Sequence, residues 1–449
     1  MKFTFIGAGS YTFTRRLVGD IFLEPAFADI TIALMDVDTQ KLGYMREIVE
    51  KMAAHNGVRA QVLATTDRRA ALQGADVVVT TIRVGRLEDI RADHALPAAA
   101  GMRQTVGDTV GPGGVFYGVR NTAVLLEICR EMEQLCPEAL LLNYTNPMAI
   151  AMSVLQRGSA TRSIGLCHSV QHTLEQLCRI LDVPPDEVRY QCGGVNHTAW
   201  FLRLEHRGRD LYPELHRLAQ QPEVFAKDPV RFDLMQRFDL FPTESSHHHA
   251  EYHPYYLHAD EECERLGLRY NHNIERFTPE VHGQKTLQGL RDLAAQADVA
   301  TLKRSVEYFT AIVKAAFTDE PVRVYGNLLN RGLIDNLPPD AAVEVPVYVD
   351  RNGFNPTAIG TLPGGAAART AAVAHHQVLA AEGILRKDLR LIREAILVDP
   401  NTSASLTVRQ AEAMIDALIE QNRPYLEGYR DSRRSVYFGG GERGGQAAS

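Results

Sequence analysis

Short apolar runs alternate with amphipathic stretches through the first third of the chain. Lys2–Ile6 is an apolar run that closes on Gly7-Ala8-Gly9-Ser10, and Ile30–Met35 is a second that closes on Asp36. Between Thr39 and Ala54 the apolar residues recur at helical spacing. Ala60–Ala64 and Asp76–Ile82 read as further strands, with a helix near Arg68–Gln73. Asn121–Leu135 predicts an amphipathic helix, and Ala139–Leu142 and Ile164–Leu166 predict buried strands. Strands alternating with helices imply parallel βαβ units in a doubly wound sheet.

After about residue 190 the pattern changes. Tyr190–Leu204 reads as extended, with a turn at Arg207-Gly208, and long helical stretches follow. A His- and Tyr-rich segment, Ser245–Tyr256, interrupts them. A strand returns near Val343–Val349, and helices run on to about Tyr425. The expected fold class is α/β: an N-terminal Rossmann-like doubly wound parallel sheet plus a C-terminal α+β domain for substrate and oligomerisation. The boundaries are 1–190 for the nucleotide-binding part, 191–435 for the catalytic part, and 436–449 for a flexible tail rich in small residues.

A chain of 449 residues is long enough for two packed domains. Its net charge of −7 argues against a nucleic-acid surface and does not exclude a small anionic substrate, which needs only local cations. No apolar run approaches the roughly 18 residues that span a bilayer, so no membrane partner is expected. Met1-Lys2 runs straight into a core strand, and the six cysteines are sparse and irregularly spaced. Both features predict a cytoplasmic protein with free thiols.

Gly7-x-Gly9 lies between a strand and the helix expected near Ser10 to Thr14. Glycines there allow a tight turn and leave helix N–H groups to face a pyrophosphate. Thr12 stands where the usual motif has its third glycine. Asp36 ends the second strand, where a carboxylate can accept both ribose hydroxyls and repel a 2′-phosphate, which favours NAD. Gly7, Gly9, Ser10 and Asp36 are the candidate cofactor residues, with a purely structural glycine pair as the alternative. Cys167 and His197 each follow a strand-like run. One thiolate and one imidazole, with several positions left open, suit Mn²⁺ completed by substrate. A buried small thiol and a hydrogen-bonded core histidine are the competing reading.

Several motifs together resemble glycoside hydrolase family four, the NAD-dependent glycosidases, from Lys2 to about Pro400. The carriers are Phe5–Ser10, Gly107-Asp108-Thr109-Val110-Gly111-Pro112-Gly113-Gly114 and Leu142-Asn143-Tyr144-Thr145-Asn146-Pro147. Cys167-His168-Ser169-Val170-Gln171, Gly194-Val195-Asn196-His197 and Gly332–Pro338 add to them. Cys-His-Ser-Val-Gln, with the stretch from Thr243 to Tyr252, is most similar to the α-galactosidase (melibiase) branch.

The resemblance implies NAD and Mn²⁺ as cofactors, the metal on Cys167 and His197, and substrate hydroxyls on Asn146. It implies oxidation at C3 of the sugar, loss of the C2 proton with the metal stabilising the enolate, departure of the C1 substituent, addition of water and return of the hydride. The general acid is left between His168, Asp108 and metal-bound water. Tyr252 and His248 are the nearest candidates for the base. Arg86 and Arg91 leave open an arginine of the kind that holds phosphate in other branches. The implied partner is a small α-glycoside, and the implied assembly a homodimer or homotetramer. α-Galacturonides and α-glucosides are alternative substrates. A plain NAD-dependent hydroxy-acid dehydrogenase and a non-catalytic NAD sensor are the readings from other classes.

Overall fold

A computed structural model describes residues 1–432 apart from positions 12, 28, 279, 280, 283 and 297. The expected tail at 436–449 and Thr12 lie outside the described residues. Thirteen strands form one sheet: β1 (Lys2–Ile6), β2 (Ile30–Met35), β3 (Ala60–Thr65), β4 (Val77–Thr80), β5 (Leu140–Asn143), β6 (Ser163–Gly165), β7 (Val188–Val195), β8 (Thr198–His206), β9 (Arg209–Asp210), β10 (Phe241–Pro242), β11 (Val322–Leu329), β12 (Ala342–Asp350) and β13 (Gly353–Pro356). The order along the sheet is β10-β8-β7-β12-β11-β6-β5-β4-β1-β2-β3.

The first six strands are parallel, and their order 3-2-1-4-5-6 reverses between β1 and β4. That reversal opens a crevice at the carboxyl ends of both strands, where doubly wound sheets take nucleotides. The remaining strands continue the same sheet in antiparallel fashion. β11 and β12 share a long ladder from Val322↔Val349 to Leu329↔Ala342. The joints on either side are narrow: β11 meets β6 through Asn327↔Gly165, and β12 meets β7 through Glu344↔Gly194. Gly165 is required for close packing, since a Cβ there would lie 2.5 Å from Met148 Sδ.

One hydrophobic core draws on both ends of the chain. Phe3 and Phe5 of β1 pack on Phe309 with ring centroids 6.1 and 6.2 Å away, and Val343, Val345 and Val347 of β12 join the same cluster. Each fully buried side chain of this size contributes roughly 1.5–3 kcal/mol. Among the described residues no helix is long and apolar enough to cross a membrane.

The structure departs from the sequence pattern in four elements. The helix expected from Asn121 begins at Gly111, because Pro112 sits in its first turn, where proline costs no hydrogen bond. A helix at Leu87–Ala100 forms despite Pro97. The extended run at Tyr190–Leu204 is a hairpin that turns at Asn196-His197. β11 occupies part of the stretch that reads as helical.

Candidate active site

The nucleotide crevice is built by the turn after β1. Gly7 adopts φ +87°, and a Cβ on it would lie 2.7 Å from the Thr81 carbonyl oxygen on the neighbouring strand's exit. Its N–H and that of Ala8 both donate to the Met35 carbonyl at 2.9 Å, so the turn is pinned to the end of β2. Gly9 N–H donates to Asp36 Oδ2 at 2.7 Å, and Asp38 N–H donates to Oδ1 at 2.9 Å. Asp36 is thereby held in one orientation with a lone pair on each oxygen to spare. Ser10 Oγ accepts from Phe13 N–H at 3.4 Å, just ahead of α1 (Thr14–Phe22). A cavity of about 1290 Å³ opens here, lined by Gly7, Gly9, Ser10, Asp36, Asp108 and Asn146 among others. That exceeds the ordinary range of roughly 300–1,000 Å³ for a small-ligand pocket, leaving room for a dinucleotide with a second ligand.

Beyond this cavity lies a cluster of metal-binding side chains. Cys167 sits between β6 and α2 (Ser169–Leu181), and His197 occupies the β7–β8 turn. Cys167 Sγ is 3.4 Å from His197 Nε2. Glu244 places Oε2 at 3.9 Å from the same nitrogen, and one donor atom from each of the three residues lies within 4.8 Å of the other two. His197 and Glu244 both take left-handed backbone conformations, φ +66° and +71°. Such positions cost non-glycine residues about 1–3 kcal/mol and persist where the surroundings over-determine them. Glu244 Oε1 faces His248 Nδ1 at 3.1 Å, and that nitrogen is also 3.0 Å from Ser245 Oγ. The His248 ring stands edge-on to His197, centroids 4.6 Å apart.

Burial, then the Glu344 and Glu244 carboxylates, push the Cys167 thiol up to about 11. Burial works against ionising Glu244, but His248 and His197 outweigh it and hold the carboxyl well below its ordinary range. A divalent ion held here would offset the penalty on the thiol and favour the thiolate. His197 Nδ1 and both polar atoms of the Gln171 amide are buried without a hydrogen-bond partner.

His168 caps α2 and turns Nδ1 toward Glu307 Oε1 at 3.4 Å; the Glu307 side chain is only 3% exposed. The Glu307 contact outweighs burial and, with the Cys167 thiol nearby, pushes the imidazole up to about 9. Phe13 bridges the cluster and the cavity, with its ring 6.4 Å from His168 and 5.3 Å from Tyr144. Tyr144 lines the cavity, and its buried hydroxyl has no partner.

Asp108 is aimed by its loop. Its Oδ1 accepts from Thr109 Oγ1 at 2.8 Å. The preceding amides are gripped by Glu251 of α3 (Ser246–Tyr252), which accepts from Val106 N–H at 2.8 Å and Gly107 N–H at 2.9 Å. Tyr252 on the same helix is buried. Burial, with Glu251, Glu244 and Asp108, raises its phenol well above the ordinary range, so in this geometry it holds its proton. Asn146 lines the cavity, and its backbone carbonyl accepts from Asn121 Nδ2 at 2.6 Å.

The predicted residues thus fall into two neighbouring groups. Gly7, Gly9, Ser10, Asp36, Asp108 and Asn146 line the cavity. Cys167, His168, His197, His248 and Tyr252 are absent from its lining; Cys167 and His197 form the adjacent cluster with Glu244, His248 packs on it, and His168 pairs with Glu307. Arg86 pairs with Asp89 and Arg91 donates to the Ile274 carbonyl, while Arg83 reaches the cavity wall and lies over Phe277. Three carboxylates of the site are not singled out by the sequence: Glu244 and Glu251 lie within the Thr243–Tyr252 stretch, and Glu307 lies outside every motif.

Comparison with known proteins follows the same division. The model of the family 4 glycosyl hydrolases matches residues 2–183, and the model of their C-terminal domain matches residues 192–402. An α-galactosidase of Bacillus subtilis (strain 168) is 36% identical over 96% of this chain and 100% of its own length. An α-galactosidase of Rhizobium meliloti (strain 1021) is 34% identical over 95% of this chain and 89% of its own. The crystal structure of a 6-phospho-α-glucosidase from gut microorganisms, in complex with NAD and Mn²⁺, superposes with a TM-score of 0.79 at 21% identity, covering 94% of this chain and 98% of that one. A nucleotide crevice, a thiol–imidazole pair beside it and similarity along nearly the whole length have one common explanation: the chain belongs to the family 4 glycosyl hydrolases.

Proposed function

We propose that this glycosyl hydrolase cleaves α-galactosides with NAD⁺ in the large cavity and Mn²⁺ at Cys167 and His197. The observation that carries the reaction type is the Cys167 Sγ–His197 Nε2 approach of 3.4 Å next to a crevice large enough for a dinucleotide. The sugar rests on the two α-galactosidases matched over almost their entire length.

Both cofactors fit the residues present. A Cβ at Gly9 would sit 2.8 Å from Asp36 Oδ2, so the backbone and the ribose-binding carboxylate are built as one unit. A half-buried thiol that burial and two carboxylates keep protonated, 3.4 Å from His197 Nε2, is a donor set that a divalent cation completes. When bound, the pair supplies a hydride acceptor and a Lewis acid, the chemistry by which this family departs from two-carboxylate hydrolysis.

The chain's own residues orient the sugar and move its protons. Asn146 offers an amide to hydroxyls at the cavity floor, and Asp108 is fixed by Thr109 and Glu251 at the same wall. His168, cationic beside Glu307, has Nδ1 occupied and Nε2 left to hand a proton to the departing oxygen. Glu307 plays the part of the orienting carboxylate, fixing the ring and its charge. His248, held by Glu244 at 3.1 Å, and Tyr252, buried beside the Asp108 loop with its proton retained, are the candidates nearest the C2 proton.

Hydrolysis of p-nitrophenyl α-galactoside tests this, with NAD⁺, Mn²⁺ and thiol reductant omitted in turn and the α-glucoside and α-galacturonide run in parallel. Loss of activity on each omission, with the galactoside preferred, is the expected result. Cleavage indifferent to NAD⁺ overturns the mechanism, and preference for another sugar overturns the substrate.

A further inference from the structure

We infer that Glu244 is a third protein ligand of the metal at Cys167 and His197, with His248 holding its outer oxygen. The inference rests on the metal reading just given and adds to it a residue outside the Cys167 and His197 motifs. Convergence is the first support. Glu244 Oε2 faces the same Nε2 that Cys167 Sγ approaches, at 3.9 and 3.4 Å, and the three donors fall within 4.8 Å of one another.

The two carboxylate oxygens are divided between separate tasks. Oε2 points at the cluster, while Oε1 meets His248 Nδ1 at 3.1 Å. Metal-binding groups ordinarily have their outer atom held in this way by a hydrogen-bonding neighbour, and loss of that neighbour weakens binding. His248 is then a positioning residue for the ligand.

Charge gives the second support. A thiolate and a neutral imidazole leave a dication with one uncompensated positive charge. The His197 side chain is 5% exposed and that of Glu244 19%, so solvent contributes little compensation. One carboxylate brings the buried centre to neutrality. A carboxylate oxygen beside the thiolate and imidazole also adds a hard donor and strengthens the preference for Mn²⁺. The backbone agrees, since the two residues that would flank the ion, His197 and Glu244, are both held at left-handed φ.

The test is a Mn²⁺ titration of the full chain without sugar, read by the electron paramagnetic resonance signal of free Mn²⁺. Wild type, Glu244→Gln, Glu244→Ala and Cys167→Ser are compared, with NAD⁺ affinity measured on each as the check of folding. Both Glu244 variants are expected to bind Mn²⁺ at least tenfold more weakly with NAD⁺ affinity within twofold of wild type, and Cys167→Ser to lose the ion. Unchanged Mn²⁺ affinity in Glu244→Gln and Glu244→Ala, with Cys167→Ser defective, overturns the inference and leaves the metal reading standing. Unchanged affinity in Cys167→Ser as well overturns both.

Discussion

Glu251 shows what burial does to a single side chain when its task is to hold a loop. Its carboxyl is buried, accepts from two backbone amides and faces His248 and Asp108; burial outweighs the hydrogen bonds and pushes it up to about 7. The folded state therefore keeps this proton over a range, from about 4.5 to about 7, in which the unfolded chain has released it. More protons bound in the folded state means that stability from this group falls as pH rises through that window. The shift corresponds to on the order of 3 kcal/mol. Glu251→Gln keeps a carbonyl oxygen for the two amides and has no proton to lose. Urea unfolding of both proteins at pH 5 and pH 7.5 is expected to show the variant gaining on wild type at the higher pH. An identical difference at the two pH values would contradict this reading. The Thr243–Tyr252 stretch contains this residue, but sequence alone cannot reveal its task, because its partners stand more than 140 positions away. The same holds for Glu307, whose partner His168 belongs to a distant segment. Cys167, His197, Gly7 and Asp36 are legible because each follows a strand, and strand ends are where α/β folds present chemistry.

At the scale of elements, the wall of the cavity depends on a buried ion pair between helices. Arg120, in the helix Gly111–Leu135, forms a salt bridge to Asp93 of Leu87–Ala100, and both side chains are buried. The guanidinium also bonds Asn422, just past the helix Val408–Gln421, and the Val84 carbonyl at 3.2 Å. Val84 and Gly85 line the cavity. Arg120→Leu leaves Asp93 buried without its counter-charge and is expected to cost about 3–5 kcal/mol, measured by urea unfolding. Adding Asp93→Asn should recover a large part of that loss; no recovery would mean that packing rather than charge sets the cost. Boundaries of elements were legible where one periodicity ruled: β1 and β2 end where the apolar runs end. They were not where a residue's ordinary meaning is reversed by position. Pro112 starts a helix, Pro97 is tolerated inside one, and the turn at Asn196-His197 lacks a glycine at its left-handed residue.

Over the whole molecule, the two halves of the chain share one sheet and one large hydrophobic cluster. Phe3 and Phe5 from the start of the chain meet Phe309 and the β12 valines from its second half, so neither part can unfold and leave the other's core intact. Urea is expected to give one transition, superimposable when followed by far-ultraviolet circular dichroism and by the fluorescence of Trp200, which is fully buried. Two separated transitions would show that the halves are energetically independent. The sheet nevertheless has a narrow waist, single residue pairs on either side of β11 and β12. Cys167 leaves the sheet two residues past one of those pairs, at Gly165, and His197 three residues past the other, at Gly194. The thiol and the imidazole therefore work like the jaws of a caliper mounted across the waist, and any twist of one half against the other is registered as a change in their gap. Substitutions at Gly165, tightly packed against Met148, can thus reach the reaction centre through the shape of the sheet alone.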